Sequence, residues 1–239
     1  MSMLRNALHA VRSLLFPTVC MACGEHVTPA MHSICTRCRN DIPLTYYWAE
    51  HDNPVKEHLG NMAPIVEASA FFFFKGNSIW RRLIHRFKYE SRWRIAYDLG
   101  RWYGAELAAS GLYDTIDAIV PIPLHPIKQL RRGYNQSHYI AEGMARELHI
   151  AVDNRALRRH KNNPSQTYLR RSERWKNAEG IFKVRDAERL RGRHILLVDD
   201  MLTSGATLHS AISTIIAAVP DCRISVAVLA VTHHITQID

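Results

Sequence analysis

The stretch His194-Ile-Leu-Leu-Val-Asp-Asp-Met-Leu-Thr-Ser-Gly-Ala-Thr-Leu208 decides the fold. Ile195 to Val198 is an unbroken apolar run without turn residues, the pattern of a strand buried on both faces of a parallel sheet. The run ends in two adjacent carboxylates, Asp199 and Asp200, and the hydroxyl-rich Thr203-Ser204-Gly205-Ala206-Thr207 follows. Leu208, Ala211, Ile212, Ile215 and Ile216 then recur at helical spacing. The order is strand, acidic pair, small-residue loop, helix.

Each part of that order has a chemical sense. A loop feeding a helix N-terminus presents unpaired backbone N–H groups and the positive end of the helix dipole, which together favour a phosphate. Gly205 lets the backbone approach closely. Two carboxylates at the carboxyl end of a strand can accept hydrogen bonds from the hydroxyls of a ribose diol. The rival reading is a receiver-like or nucleotide-binding sheet with an incidental acidic pair. The pattern of apolar strand, Asp-Asp, two residues, then Thr-Ser-Gly-Ala-Thr resembles the phosphoribosyl pyrophosphate (PRPP) signature of type I phosphoribosyltransferases. The resemblance implies that Asp199 and Asp200 hold the ribose 2′ and 3′ hydroxyls. It also implies that Thr203, Ser204, Gly205, Ala206 and Thr207 wrap the 5′-phosphate. Ser204 stands where that family often has threonine, and the hydroxyl is kept.

At 239 residues the chain has room for one sizeable α/β domain and a small appendage, at about 150 residues per domain. No run approaches the roughly 18 to 20 apolar residues of a membrane helix, so a soluble, cytoplasmic protein without a membrane span is expected. Leu4, Leu8, Val11, Leu14 and Leu15 are interrupted by Arg5, His9 and Arg12, which suits a short amphipathic helix better than a signal sequence. The formal net charge is +9. Between Arg155 and Arg193, thirteen Lys and Arg stand against four acids, so this one segment carries the whole excess. Such a concentration favours a polyanion, a pyrophosphate or a nucleic acid, against the plainer reading of a solvated basic loop.

Cys20-Met-Ala-Cys23 and Cys35-Thr-Arg-Cys38 are two C-x2-C knuckles whose spacing matches a four-thiolate zinc site. A disulfide pair or a redox C-x-x-C are the rivals, and two knuckles are one more than redox chemistry requires. Four thiolates leave no open coordination position, so the expected role of zinc is structural. His26 and His32 lie nearby as substitute ligands, and Cys222 reads as a small packed hydrophobe.

Asp41 to Pro64 is without periodicity and reads as a linker. The expected division is 1–64 for an N-terminal helix, four-cysteine zinc finger and linker, and 65–239 for the α/β domain with a basic flap at about 155–182. Ile65 to Phe74 reads as a strand, Ile79 to Phe87 as a helix capped by Ser78, and Trp93 to Leu107 as a second helix. Lys88-Tyr89 between them either touches a phosphate or snorkels over the core, the second being favoured. Ile116 to Val120 is the next strand and runs into the proline-fixed Pro121-Ile122-Pro123-Leu124. Arg132, Gly133, Asn135 and Gln136 precede a further helix, and a charged fork beside neutral amides there reads as a second anion site. Gly180 to Val184 alternates like an edge strand, and Arg223 to Val231 closes the sheet.

The zinc knuckles, Val120-Pro-Ile-Pro-Leu-His-Pro126, Arg131-Arg-Gly-Tyr-Asn-Gln136 and the later series Gln166, Leu169, Ser172, Arg174, Asn177, Gly180, Phe182 together resemble the ComF competence-protein family. These proteins are phosphoribosyltransferase-like and linked to DNA uptake. The resemblance implies a type I phosphoribosyltransferase-like parallel sheet flanked by helices, with a small N-terminal zinc-binding domain. It puts Pro121, Ile122, Pro123 and Leu124 at the pyrophosphate loop, flanked by Arg132, Asn135 and Gln136. A flap supplying Arg170, Arg171 and Arg174 to the departing pyrophosphate follows from the same likeness. So do Mg²⁺ as the companion of PRPP and catalytic roles for Asp199, Asp200 and Arg132. The other class of function is a single-stranded DNA-binding accessory with a non-catalytic PRPP pocket, partnered by a DNA-uptake helicase or other competence proteins.

Overall fold

The computed structural model describes residues 19–27, 33–76, 78–160 and 180–235. In chain order the elements are α1 (Thr36–Asp41), a 3-10 turn (Tyr47–Ala49), α2 (Pro54–Gly60), β1 (Ala68–Phe74), α3 (Ile79–Tyr89) and α4 (Trp93–Ser110). There follow β2 (Ala118–Pro121), α5 (Pro126–Arg132), α6 (Gln136–Leu148), β3 (Leu157–Arg159), β4 (Phe182–Val184), β5 (His194–Leu202), α7 (Ala206–Ala218) and β6 (Arg223–Thr232). The central sheet is parallel, in the order β1-β6-β5-β2. β3 and β4 make a separate antiparallel ribbon.

Both faces of the sheet are covered, which is why its strands are apolar almost throughout. Leu196, Val198, Ala227 and Leu229 point to one side, where they share a core with Leu83 and Phe87 of α3, Leu99 and Tyr103 of α4 and Ile140 and Met144 of α6. Their neighbours Ile195, Leu197, Val226 and Val228 point to the other, against Val55 and Leu59 of α2, Ile212 of α7 and the ribbon's Leu157 and Phe182. α6, which follows β2 and α5, thus packs on one face and α7, which follows β5, on the opposite face. β2 and β5 are neighbours, so the crevice between their carboxyl ends is a topological switch point, where open α/β sheets bind their ligands.

Strand lengths shape that crevice. β2 pairs with β5 only from Ala118↔Ile195 to Pro121↔Val198, with one further bond from the Ile122 N–H to the Val198 carbonyl at 2.9 Å. Pro123 has no N–H to continue the ladder. β5 nonetheless runs on beside β6 as far as Leu202↔Val231. The acidic pair therefore lies within the strand rather than beyond it. The sequence reading ended the strand at Val198 because charge replaced apolar side chains, whereas backbone pairing with β6 is indifferent to that change.

Two helices approach unusually closely. A Cβ on Gly100 of α4 would lie 2.2 Å from the Ile140 carbonyl oxygen of α6, and one on Gly143 of α6 would lie 2.2 Å from that of Tyr97. Only hydrogen fits at these crossings, and the pair is held as one layer. Behind it, Ser69 Oγ joins the buried hydroxyls of Tyr103 (2.5 Å) and Tyr113 (2.8 Å), satisfying polar groups in an otherwise apolar interior.

The stretch read as a linker, 41–64, is ordered structure. Asn53 caps α2 by accepting from the Val55 and Lys56 N–H groups, both at 3.1 Å, and its side-chain amide donates to the Ala68 carbonyl of β1 at 2.9 Å. Trp48, Val55 and Leu59 are buried. With just two apolar anchors on a two-turn helix, α2 leaves no periodic trace long enough to read. Cys222 is buried in the core, as expected, and burial pushes its thiol up to about 11.

Candidate functional site

The site is assembled where β2 and β5 end. Asp199 is half-buried; its Oδ1 accepts from Ser137 Oγ of α6 at 3.0 Å and from the Asp200 N–H at 2.8 Å. Burial and then the neighbouring Asp200 charge push its carboxyl up to about 7, against the pull of those two donors and of Lys88. Asp200 is held differently. Its Oδ1 lies 2.9 Å from Lys88 Nζ, with the two side chains 14% and 18% exposed. The two adjacent carboxylates thus have different surroundings: Asp199 is crowded, and Asp200 has a counter-ion.

Immediately after β5 the chain turns through Thr203, Ser204 and Gly205. Gly205 is at φ +79°, the left-handed region open to glycine, and a Cβ there would meet Met62 Sδ at 3.2 Å and Leu59 Cδ2 at 3.4 Å. Helix α7 starts at Ala206, so the turn offers the N–H groups of a first helical turn, which have no intrahelical partners. The residues Asp199 and Met201 to Leu208 line a small polar pocket of about 20 Å³.

The other wall is built by the segment 121–137. The Ile122 carbonyl, where the β2 ladder stops, accepts from Asn135 Nδ2 at 3.0 Å. Gln136, nearly fully buried, donates through Nε2 to the Lys88 carbonyl at 3.4 Å. Tyr134 donates its hydroxyl to the Phe87 carbonyl. Three consecutive side chains therefore fasten the end of α3, which carries Lys88, to the loop after β2. Arg132 reaches outward, its Nη2 3.4 Å from Tyr89 Oη and its guanidinium 5.1 Å from the Tyr89 ring centroid.

Asp199 and the turn 203–207 therefore line one small pocket, Asp200 pairs with Lys88, and Asn135 and Gln136 tie the loop after β2 and the end of α3 beside them, while Arg132 turns to Tyr89. Arg170, Arg171 and Arg174 lie outside the described residues. Lys88, which the sequence reading left on the core surface, is in direct contact with Asp200. Its only sequence signal was its place at a helix end before a turn. Ser137 gave no signal, since a serine in the first turn of a helix is ordinary.

Away from the crevice, the sulfurs of Cys20, Cys23, Cys35 and Cys38 all lie within 4.8 Å of one another, with Cys23 and Cys35 at 3.8 Å. A tetrahedron of ~2.3 Å metal–sulfur bonds has edges of about 3.8 Å, so the cluster could hold one metal ion. Burial alone would raise the Cys20 thiol, but the N–H groups of Cys35, Cys23 and Ala22 bring it down to about 7, toward the thiolate a metal requires. His26 is exposed, and His32 lies outside the described residues.

Residues 135–237 match the family model described as a phosphoribosyl transferase domain. Competence protein F of Haemophilus influenzae is 28% identical over 199 residues, 80% of this chain and 87% of that protein. This match, the transferase domain and the four-cysteine cluster agree with one another. The chain belongs to the ComF competence-protein family. Among other ComF-family relatives, DNA utilization protein YhgH of Escherichia coli K12 is 33% identical over 130 residues, 53% of this chain and 56% of that protein. Competence protein ComFC of Bacillus subtilis is 37% identical over 93 residues, 39% of this chain and 35% of that protein. The ComF assignment agrees with the parallel sheet described above, which is flanked by helices and carries the cysteine cluster near its N-terminal end.

Proposed function

We propose that this chain binds PRPP together with Mg²⁺ and catalyses displacement of its pyrophosphate by an acceptor nucleophile at the anomeric carbon, with the 203–207 turn on the 5′-phosphate and Asp199 and Asp200 at the ribose diol. The observation that carries the reading is the meeting of an acidic pair and a glycine turn at the helix α7 N-terminus, in the switch-point crevice. The carboxylates accept from sugar hydroxyls, and their charge favours a sugar ring that becomes positive as pyrophosphate leaves. The fastened wall of Tyr134, Asn135 and Gln136 keeps Lys88 and the loop after β2 in fixed relation, so the reacting groups are placed before substrate arrives. The donors around the crevice are hard oxygens, which suit Mg²⁺ entering with substrate phosphates; bound there, it would neutralise charge on the leaving group.

Under the same proposal the four cysteines hold a structural zinc ion and the protein is cytoplasmic. The printed names of its relatives refer to competence and DNA utilization, and we place this chain in DNA uptake on that ground. Calorimetry with PRPP and Mg²⁺ tests the reading, followed by pyrophosphate release against a panel of bases, amines and single-stranded DNA. Binding by the wild type and its loss in the Asp199→Asn, Asp200→Asn double variant is the expected result. Unchanged affinity in that variant sinks the assignment. Single-strand binding that survives in the variant and weakens steeply with salt would favour the DNA-binding accessory instead.

A further inference from the structure

Asp199 and Asp200 show the same half-completed arrangement twice. Asp199 Oδ1 accepts from Ser137 Oγ at 3.0 Å and from the Asp200 N–H at 2.8 Å, and Asp200 Oδ1 lies 2.9 Å from Lys88 Nζ. Among the described residues, Oδ2 of neither carboxylate takes a hydrogen bond. Each side chain thus has one oxygen fastened and one left over. The terminal torsion of an aspartate is broad when nothing holds it, so a fastened oxygen fixes the direction of its twin.

The two fasteners have a common origin. Ser137, buried in the first turn of α6, reaches Asp199 itself. Its buried neighbour Gln136 donates to the Lys88 carbonyl at 3.4 Å, and Tyr134 donates to the Phe87 carbonyl. One short stretch of chain therefore sets Asp199 directly and sets the end of α3 from which Lys88 reaches Asp200. The Lys88 and Asp200 side chains are both largely enclosed, so water does not replace their contact cheaply.

We propose that Ser137 and Lys88 are positioning residues that aim Asp199 Oδ2 and Asp200 Oδ2 at two adjacent hydroxyls, and so make the crevice selective for a ribosyl over a deoxyribosyl phosphate. This rests on the PRPP reading and adds to it two side chains that act through the acidic pair. The pair supplies the acceptors; α6 and α3 supply their direction. Selectivity follows because an enclosed acceptor built to receive a hydroxyl is left unpaired when the sugar lacks it. A crevice of this kind admits sugar phosphates of ribonucleotide origin and turns away those released from DNA.

The test reads preference between sugars. Calorimetry on the full chain at pH 8, above the value of about 7 to which the Asp199 carboxyl is pushed, compares ribose 5-phosphate with its 2-deoxy and 3-deoxy analogues. Wild type, Ser137→Ala and Lys88→Met are measured, with thermal melting as a control for folding. Loss of one hydroxyl facing a charged acceptor predicts that the wild type prefers ribose 5-phosphate over each analogue by about tenfold or more. Each variant should lower its preference against at least one analogue by about threefold or more. A change in net charge or in general stability moves all three ligands together and leaves the preferences alone. A folded variant that keeps both preferences at their wild-type size removes its residue from the role, and either variant decides the matter should the other fail to fold. A wild type that binds PRPP but fails to distinguish the three sugar phosphates overturns this proposal alone. One that binds neither PRPP nor ribose 5-phosphate overturns the PRPP reading, and this proposal with it.

Discussion

Asp199 shows how a crowded carboxylate is kept at a cost to the fold. Burial and the Asp200 charge push its carboxyl up to about 7 from the ordinary 3.8, so the folded state favours an extra proton between those values. Stability contributed by that proton is present at low pH and declines as pH rises through the window. Asp199→Asn should therefore stabilise the protein by on the order of 2 kcal/mol at pH 8 and by almost nothing near pH 4. Urea unfolding at the two pH values checks this; an equal change at both would mean that the charge is not the cause. Lys88 pairs with Asp200, while Asp199 stays crowded by burial and by its neighbour. The acidic pair was readable in the sequence from its place after an apolar run. Its counter-ion was not, because Lys88 is more than a hundred positions away and nothing local ties it to Asp200.

At the scale of elements, the contact between α4 and α6 inverts an ordinary expectation. Alanine is favoured over glycine inside a helix by roughly 1 kcal/mol. At Gly143, however, the added methyl would stand 2.2 Å from the Tyr97 carbonyl oxygen and 2.6 Å from the Arg101 nitrogen, both backbone atoms that cannot swing aside. Gly143→Ala should cost about 2 kcal/mol or more, while Gly60→Ala, whose Cβ would meet nothing within 4 Å, should be neutral or mildly stabilising. Thermal melts of the two variants would settle the contrast. Periodicity revealed these helices and the strands around them, because long apolar faces are a local property. It missed α2, whose two buried side chains, Val55 and Leu59, are too few to make a pattern. It set Asn135 and Gln136 beside a ligand, and one amide N–H of each also fastens a backbone carbonyl, which the sequence did not reveal. Residue type alone does not distinguish a polar side chain that holds a loop from one that holds a substrate.

Across the whole molecule, the cysteine cluster is not an isolated appendage. Cys20, Cys35 and Cys38 share one continuous core with Trp48, Phe71 and Tyr103, so the knuckles pack against the same layer that backs β1. If the cluster holds zinc, chelation or Cys38→Ser should lower the melting temperature of the entire chain by several degrees rather than release one end. Far-ultraviolet circular dichroism and tryptophan fluorescence should then report a single shared transition. Two separate transitions would show the knuckles to be energetically independent.

β5 outruns its neighbour β2 by four residues, and Pro123, which has no N–H to offer, stops the shorter strand. The width of the cleft is therefore a property of main-chain length, fixed before any side chain at the mouth is chosen. Proteins sharing this notch can exchange the residues around it and change their cargo without rebuilding the frame. Conversely, a variant that let the short strand grow would zip the opening shut while leaving every residue of the acidic pair and the glycine turn in place.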